Sequence, residues 1–162
     1  MKVIGIDPGL SGAIAILENN KVLNLYDMPV MSEGKKNKKQ LNSALLVSLI
    51  KENVVSKDEI SVVVEQVNAM PGQGVTSMFN FGQTFGAIKG ICAALELPIF
   101  FVRPSKWKKH FELINSSKDS SRTKAIEMYP KLSNQLSKKK DVNKSDAILI
   151  ARFFSETRLT EN

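Results

Sequence analysis

The chain has 162 residues, the size of a single domain, and its 43% hydrophobic and 24% charged residues are ordinary for a soluble globular protein. No apolar run reaches the ~20 residues that a membrane span needs, and a single cysteine, Cys92, excludes an internal disulfide. The net charge of +7 favours an anionic partner such as nucleic acid, although a generally basic surface would give the same value. The first residues follow a strand pattern and not that of a signal peptide, so we expect a cytoplasmic protein, with an organelle left open.

The first part of the chain is predicted to form an antiparallel meander. Three apolar-rich stretches each predict a strand: residues 2–7, 11–18 and 21–28. The connections between them hold proline and glycine and then Asn19–Asn20, which favour tight turns. A lysine-rich stretch at 34–39 is predicted to be an exposed loop, and the apolar spacing of residues 40–52 predicts a helix.

The rest of the chain is predicted to alternate between strands and helices. Short apolar runs predict buried strands at 60–66 and 97–102, and helical patterns predict helices at 76–96, 105–112, 119–128 and 143–157. A meander followed by such alternation predicts a mixed α/β sheet covered by helices. No linker divides the chain, so we expect one domain over residues 1–162.

Three acidic residues stand where apolar elements begin or end. Asp7 and Glu65 each end an apolar strand, and Asp146 begins the apolar run of the last helix. Buried carboxylates that lie close together repel one another, and a divalent cation such as Mg²⁺ or Mn²⁺ removes the repulsion. Singly, Asp7 is explained as a turn cap and Asp146 as a helix N-terminal charge. Together, and with a basic surface, the three favour metal-dependent phosphodiester chemistry.

Three stretches of the sequence resemble motifs of the RuvC family of Holliday junction resolvases, its phage-type members in particular. They are IGIDPGLSGAIAI, VVVEQVNAMPGQGVTSMFNFGQTFGAIKG and KKDVNKSDAILIA, and the likeness covers nearly the whole chain except residues 30–39. GIDPG alone is unspecific, because sugar-kinase-type ATPases share it, whereas the block after Glu65 is specific. The resemblance implies a ribonuclease H-like fold, with a mixed five-stranded sheet flanked by helices. It also implies a homodimer and two Mg²⁺ ions in each active site, for which Mn²⁺ could substitute.

The activity implied by the resemblance is that of a crossover junction endodeoxyribonuclease, a metal-dependent hydrolase. It would nick a four-way DNA junction in recombination, repair or replication, without a membrane or a small-molecule cofactor. By matched position, Asp7, Glu65 and Asp146 would be the catalytic, metal-binding carboxylates. The fourth ligand differs from the family pattern, because the usual positions hold Val142 and Asn143. Asp141 is the favoured fourth metal ligand, with Asn143 as the alternative.

Basic residues are predicted to hold DNA phosphates. The resemblance places two groups of residues on DNA: Lys106, Trp107, Lys108 and Lys109 in one, and Lys118, Arg122 and Lys124 in the other. Trp107 would either stack on a base or pack between helices. Met70, beside Pro71 and Gly72, is the candidate residue to wedge the junction open.

Two further questions stay open at this point. Gly82, Gly86 and Gly90 share one face of the predicted 76–96 helix, where either a second copy of the chain or the chain's own sheet could approach closely. The departure at the fourth ligand also allows an alternative function, that of a catalytically weak junction-binding architectural protein. Nicking that depends on Mg²⁺ would separate the two functions.

Overall fold

The computed structural model describes residues 1–34, 38–55 and 60–158. The strands in these ranges are β1 (Lys2–Asp7), β2 (Ala13–Glu18), β3 (Lys21–Asp27), β4 (Val30–Glu33), β5 (Lys38–Leu41), β6 (Ile60–Glu65) and β7 (Ile99–Val102). The α-helices are α1 (Ser43–Asn53), α2 (Val75–Ala94), α3 (Pro104–His110), α4 (Ser120–Met128) and α5 (Val142–Arg158). Short 3-10 turns at Pro130–Leu132 and Lys139–Asp141 lead into α5.

The main sheet has five strands in the order β3-β2-β1-β6-β7. Strands β1, β2 and β3 pair antiparallel, and β6 and β7 add to β1 in parallel. Asn19 and Asn20 connect β2 to β3 with φ angles of 48° and 63°, the left-handed backbone that asparagine tolerates in hairpin turns. The predicted mixed sheet, with a meander followed by parallel strands, is confirmed.

Helices cover both faces of this sheet. Because side chains alternate along β1, Val3 packs with the buried residues of α3, α4 and α5, whereas Ile4 and Ile6 pack with those of α1 and α2. Cys92 lies in the second of these cores, where burial raises the pKa of its thiol to about 11. In the described ranges, no helix is both long and apolar enough for a membrane span.

Helix α5 packs unusually close to β1, and this contact positions Asp146. A Cβ atom on Gly5 would lie 2.3 Å from the carbonyl oxygen of Ala147 and 2.7 Å from the Cβ of Ala151. Gly5 therefore lets the backbone of the helix approach the strand directly. Asp146, one residue before Ala147, is carried with it toward the end of β1.

The prediction of an exposed loop over residues 34–39 is wrong at its C-terminal end. Lys38 and Lys39 belong to β5, which pairs antiparallel with β4 from Glu33–Lys38 to Val30–Leu41. The strand is exposed on nearly all its length and only Leu41 is buried, so its sequence lacks the apolar alternation that marks a strand. Residues 35–37 of the predicted loop lie outside the described residues.

Candidate active site

The three predicted acids meet at one edge of the sheet. Asp7 ends β1 and Glu65 ends β6, one residue beyond the parallel pair Ile6–Val64. Asp146 reaches the same edge from the first turns of α5. All three are half-buried, and the charges of Glu65 and Asp146 act on Asp7. The convergence expected from the sequence is therefore present as an electrostatic cluster, which we call the acid cluster (Asp7, Glu65 and Asp146).

Burial and mutual repulsion raise the pKa values of the acid cluster. Burial is the main cause of the rise in the pKa of Asp7 to about 8, and repulsion by Glu65 and Asp146 adds to it. Burial likewise raises the pKa of Asp146 to about 6, with a smaller contribution from Glu65, while a hydrogen bond from Ser121 acts in the opposite direction. The pKa of Glu65 is also raised by burial. Cations close to these groups would restore their charged forms.

The chemistry of the acid cluster fits a divalent cation. Asp146 Oδ1 is buried and has no hydrogen-bond partner among the described residues, as expected of an oxygen that binds a ligand. Carboxylate oxygens are the ligands that Mg²⁺ and Mn²⁺ prefer. Across residues 1–34, 38–55 and 60–158, however, no three His, Cys, Asp or Glu side chains stand close enough to hold an ion as they are. Binding would have to draw the three carboxylates closer together.

Two lysines face the acid cluster. Lys108 and Lys118 both lower the pKa values of Asp7 and Asp146, and Lys108 also acts on Glu65. They line a cleft of about 340 Å³ together with Trp107, Leu113, Ser116, Ser117, Ser121 and Asp146. A cleft lined by two lysines and by Asp146 of the acid cluster can hold a phosphate group beside a metal ion.

The prediction that Trp107 contacts DNA is wrong. Its side chain is fully buried in the core, and its indole Nε1–H donates a hydrogen bond of 2.9 Å to Glu65 Oε1. A buried indole cannot stack on a DNA base, so the alternative of packing between elements is confirmed. The sequence did not indicate the bond to Glu65, because the two residues lie 42 positions apart on different elements.

Asp141 makes its contacts with residues outside the acid cluster. Its Oδ2 accepts a hydrogen bond from the backbone N–H of Lys138 at 2.8 Å, and its Oδ1 lies 3.5 Å from Lys144 Nζ. The alternative ligand Asn143 donates from Nδ2 to the carbonyl oxygen of Ser11 at 2.6 Å. Asp141 is not among the groups that shift the pKa values of the acid cluster, and the identity of the fourth ligand stays a prediction.

The other predicted DNA-binding residues fall into two groups. Arg122 makes two hydrogen bonds of 2.8 Å to Asp119 and one of 3.0 Å to the carbonyl oxygen of Leu136, and Lys124 pairs with Glu127 at 3.6 Å. These two cations are thus already engaged within the chain.

The second group is exposed to solvent: Lys106, Lys109, Lys118 and Met70. Met70 is 59% exposed and lies in the segment that connects Glu65, the last residue of β6, to α2. These side chains are free to meet DNA, and their roles stay predictions.

One face of α2 is not covered by the part of the chain that the structure describes. Gly82, Gly86 and Gly90 are exposed, and apart from the helix's own backbone and the neighbouring residues, no described atom would lie within 4 Å of a Cβ atom on any of them. The interpretation that the chain's own sheet packs against these glycines is therefore wrong. Phe79 is 65% exposed and lies on the same face by helical spacing.

Two site residues were missed by the sequence reasoning. A Cβ atom on Gly12 would lie 1.9 Å from the carbonyl oxygen of Asp7, so this glycine allows the turn that holds the strand end carrying Asp7. Ser121 contributes the hydrogen bond to Asp146 from α4. The glycine-rich DPGLSG segment was a signal for Gly12, whereas the sequence held none for Ser121.

The fold is that of the RuvC-like resolvases, which have a ribonuclease H fold. Thermus thermophilus RuvC in complex with a Holliday junction substrate aligns with a TM-score of 0.60 and 15% identity, over 97% of this chain and 96% of that one. The fowlpox virus resolvase in complex with Holliday junction DNA aligns at 0.55 and 15%, over 98% and 99%. The yeast mitochondrial Holliday junction resolvase Ydc2 aligns at 0.56 and 14%, over 98% and 80%. No protein-family model and no curated protein sequence matches the chain.

The raised pKa values predict how pH affects the stability of the metal-free protein. Asp7 keeps its proton up to about pH 8 in the folded chain but loses it near its ordinary pKa of 3.8 when the chain unfolds. Between these two values the folded state binds more protons, so the free energy of unfolding falls as the pH rises. We expect thermal unfolding in EDTA to give a lower melting temperature at about pH 8 than at about pH 5.

Saturating Mg²⁺ should raise the melting temperature more at the higher of these pH values, because the cation replaces the proton among the carboxylates. Asp7→Asn should flatten the pH dependence. A metal-free melting temperature that increased over this range would contradict the assigned burial of Asp7.

Proposed function

We propose that this protein is a metal-dependent endonuclease that cleaves four-way DNA junctions. The observation that carries the proposal is the convergence of Asp7, Glu65 and Asp146 at one sheet edge, beside two lysines, within a fold of the resolvase type. The Thermus and fowlpox proteins with that fold have been captured on Holliday junction DNA. The net charge of +7 further supports a nucleic-acid substrate.

In the proposed mechanism the chain supplies ligands and positive charge rather than a nucleophile. Asp7, Glu65 and Asp146 would hold the cations, two of them by likeness to two-metal nucleases. The chemistry that Mg²⁺ would supply there is the activation of water for attack on phosphorus and the stabilisation of negative charge on the leaving oxygen. Lys108 and Lys118 would hold the phosphate over the acid cluster and offset its charge. Asp141 is the proposed fourth ligand and would first have to leave Lys138 and Lys144.

We propose that the active form is a homodimer. The uncovered face of α2, with Phe79 and the three glycines, is apolar and would let the same helix of a second copy approach closely. Two copies would bring two acid clusters to one branched substrate, as paired nicking requires. The oligomeric state in solution tests this arrangement. We expect the wild-type protein to be a dimer and Phe79→Glu to be a monomer.

A second candidate function is junction binding without efficient cleavage. The observation that favours it is the engagement of both candidate fourth ligands, Asp141 and Asn143, in contacts within the chain. The acid cluster would then bind metal more weakly than a complete site. Binding of junction DNA with no nicking at saturating Mg²⁺ or Mn²⁺ would identify this function.

The proposed nuclease is tested with an end-labelled four-way junction and a linear duplex of matched sequence, each incubated with and without Mg²⁺. We expect paired nicks in the junction only, and only with the metal. Equal cutting of both substrates would refute junction selectivity. Cutting that persists in EDTA would refute metal dependence.

Met70 is predicted to act on the junction and not on the chemistry. Met70→Ala removes an exposed apolar side chain from the segment that follows Glu65, so we expect junction nicking to slow about tenfold, which corresponds to about 1.4 kcal/mol. Folding should be unaffected, because an exposed side chain contributes little to stability. Met70→Leu is the matched control and should retain activity. Unchanged nicking in Met70→Ala would exclude a wedge at this position.

A further inference from the structure

The only tryptophan of the chain is in direct contact with the acid cluster. Trp107 lies near the middle of α3, its side chain is fully buried, and its Nε1–H donates to Glu65 Oε1 at 2.9 Å. An indole N–H is a donor only, so it can hold a carboxylate oxygen but can never compete for a cation. The contact thus lies beside the proposed metal site without occupying it.

We propose that Trp107 is a positioning residue that fixes Glu65 Oε1 and thereby presents Oε2 to the metal. The proposal rests on the proposed function, because it concerns a ligand of that site. A glutamate side chain has three rotatable bonds, and Glu65 lies close enough to Asp7 and Asp146 to raise the pKa values of both. A rigid ring locked in the core limits that freedom with one directed hydrogen bond. Donors of this kind, bound to a ligand rather than to the metal, orient the ligands of metal sites.

The face of the same indole ring carries a second contact. Lys108 Nζ lies 5.3 Å from the ring centroid, in the range of a cation–π interaction. Trp107 therefore binds Glu65 at its edge and Lys108 over its ring. A tryptophan that served only to fill the core could satisfy its N–H with any backbone carbonyl. Here it joins one acid of the cluster to one of the two lysines that face it.

A single tryptophan gives a direct spectroscopic test. The protein labelled with ¹⁵N contains one indole N–H, so its proton–nitrogen spectrum has one indole cross-peak. We expect this peak to shift in Glu65→Gln, which weakens the acceptor, and to shift as Mg²⁺ is titrated into the wild-type protein. Asp27→Asn, at an exposed acid outside the cluster, is the matched control and should leave the peak in place. The proposal would be overturned if the position of the peak changed neither in Glu65→Gln nor with saturating Mg²⁺.

The second test removes the hydrogen bond while keeping the ring. Replacing Trp107 by benzothienylalanine puts sulfur in place of the N–H at nearly the same volume, whereas Trp107→Phe also opens space in the core. We expect both proteins to bind Mn²⁺ about tenfold more weakly than the wild type, measured from the spin-resonance signal of free Mn²⁺. Junction binding in EDTA should stay unchanged. Wild-type Mn²⁺ affinity in the benzothienylalanine protein would refute the positioning role.

These outcomes separate the inference from the proposed function. If the wild-type protein binds Mn²⁺ and nicks junctions but the isosteric replacement changes neither, only the role of Trp107 is wrong. If the wild-type protein binds no Mn²⁺ and cuts no junction, the proposed function fails, and a role in presenting Glu65 to a metal fails with it.

Discussion

Asp7→Asn is expected to reduce Mg²⁺-dependent nicking of a four-way junction about a thousandfold or more, which corresponds to about 4 kcal/mol of transition-state stabilisation. Asp7 is the member of the acid cluster on which both other carboxylates act, and a neutral amide is a poor substitute for an anionic metal ligand. Junction binding should change little, because lysines and arginines provide the grip on phosphates. Single-turnover cleavage and gel-shift titration measure the two properties separately.

The same substitution has an opposite effect on stability. Because the asparagine side chain of this variant carries no charge, the metal-free Asp7→Asn protein should be more stable than the wild type at about pH 8, where the wild-type carboxylate ionises. Asp27→Asn changes an exposed acid that pairs with Lys144 and serves as the control for both measurements. Full nicking activity in Asp7→Asn would remove this residue from the mechanism.

Gly5→Ala is expected to lower both stability and activity. The added Cβ would lie 2.3 Å from the carbonyl oxygen of Ala147, 2.7 Å from the Cβ of Ala151 and 3.0 Å from its main-chain nitrogen, so the helix leaves it no room. Overpacking of this kind destabilises a protein by about 3 kcal/mol or more. Because α5 must move away from β1, Asp146 should leave the acid cluster and nicking should be lost. Urea unfolding and junction cleavage measure the two effects.

Gly74→Ala is the matched control for this substitution. Gly74 has an extended backbone, and the nearest atom to an added Cβ is Ser77 Oγ at 3.9 Å. The free energy of unfolding should change by at most about 1 kcal/mol. If Gly5→Ala were as well tolerated as Gly74→Ala, the close contact between α5 and β1 would not be what positions Asp146.

Much of the fold could be predicted because the strands of the main sheet have strong local signals. The buried runs that end at Asp7 and Glu65 are apolar except for Ser61, as expected of central strands covered on both faces. Parallel neighbours end at the same sheet edge, so the meeting of these two acids followed from the strands alone. Strand β5 escaped prediction, because an exposed lysine-rich strand is held by its partner β4 and not by an apolar pattern.

The parts of the site that could not be predicted depend on contacts between distant elements. The sequence shows that the Trp107 side chain is large and apolar, but its bond to Glu65 depends on where α3 places the indole relative to the end of β6. The charge of Asp141 suggested a ligand, whereas its pairing with Lys138 and Lys144 depends on the turn before α5. The apolar runs beside the acidic residues therefore indicated which carboxylates are buried. Tertiary contacts decide which of the carboxylate oxygens have no hydrogen-bond partner among the described residues and so can bind a cation.

Anomalous diffraction from crystals grown with Mn²⁺ tests most directly whether the acid cluster is a metal site. We expect Mn²⁺ to bind between carboxylate oxygens of Asp7, Glu65 and Asp146, with the buried Oδ1 of Asp146 among the ligands. The assignment of the acid cluster as a metal site would be contradicted if, at saturating Mn²⁺, other acids of the chain bound the ion and this position showed no anomalous peak.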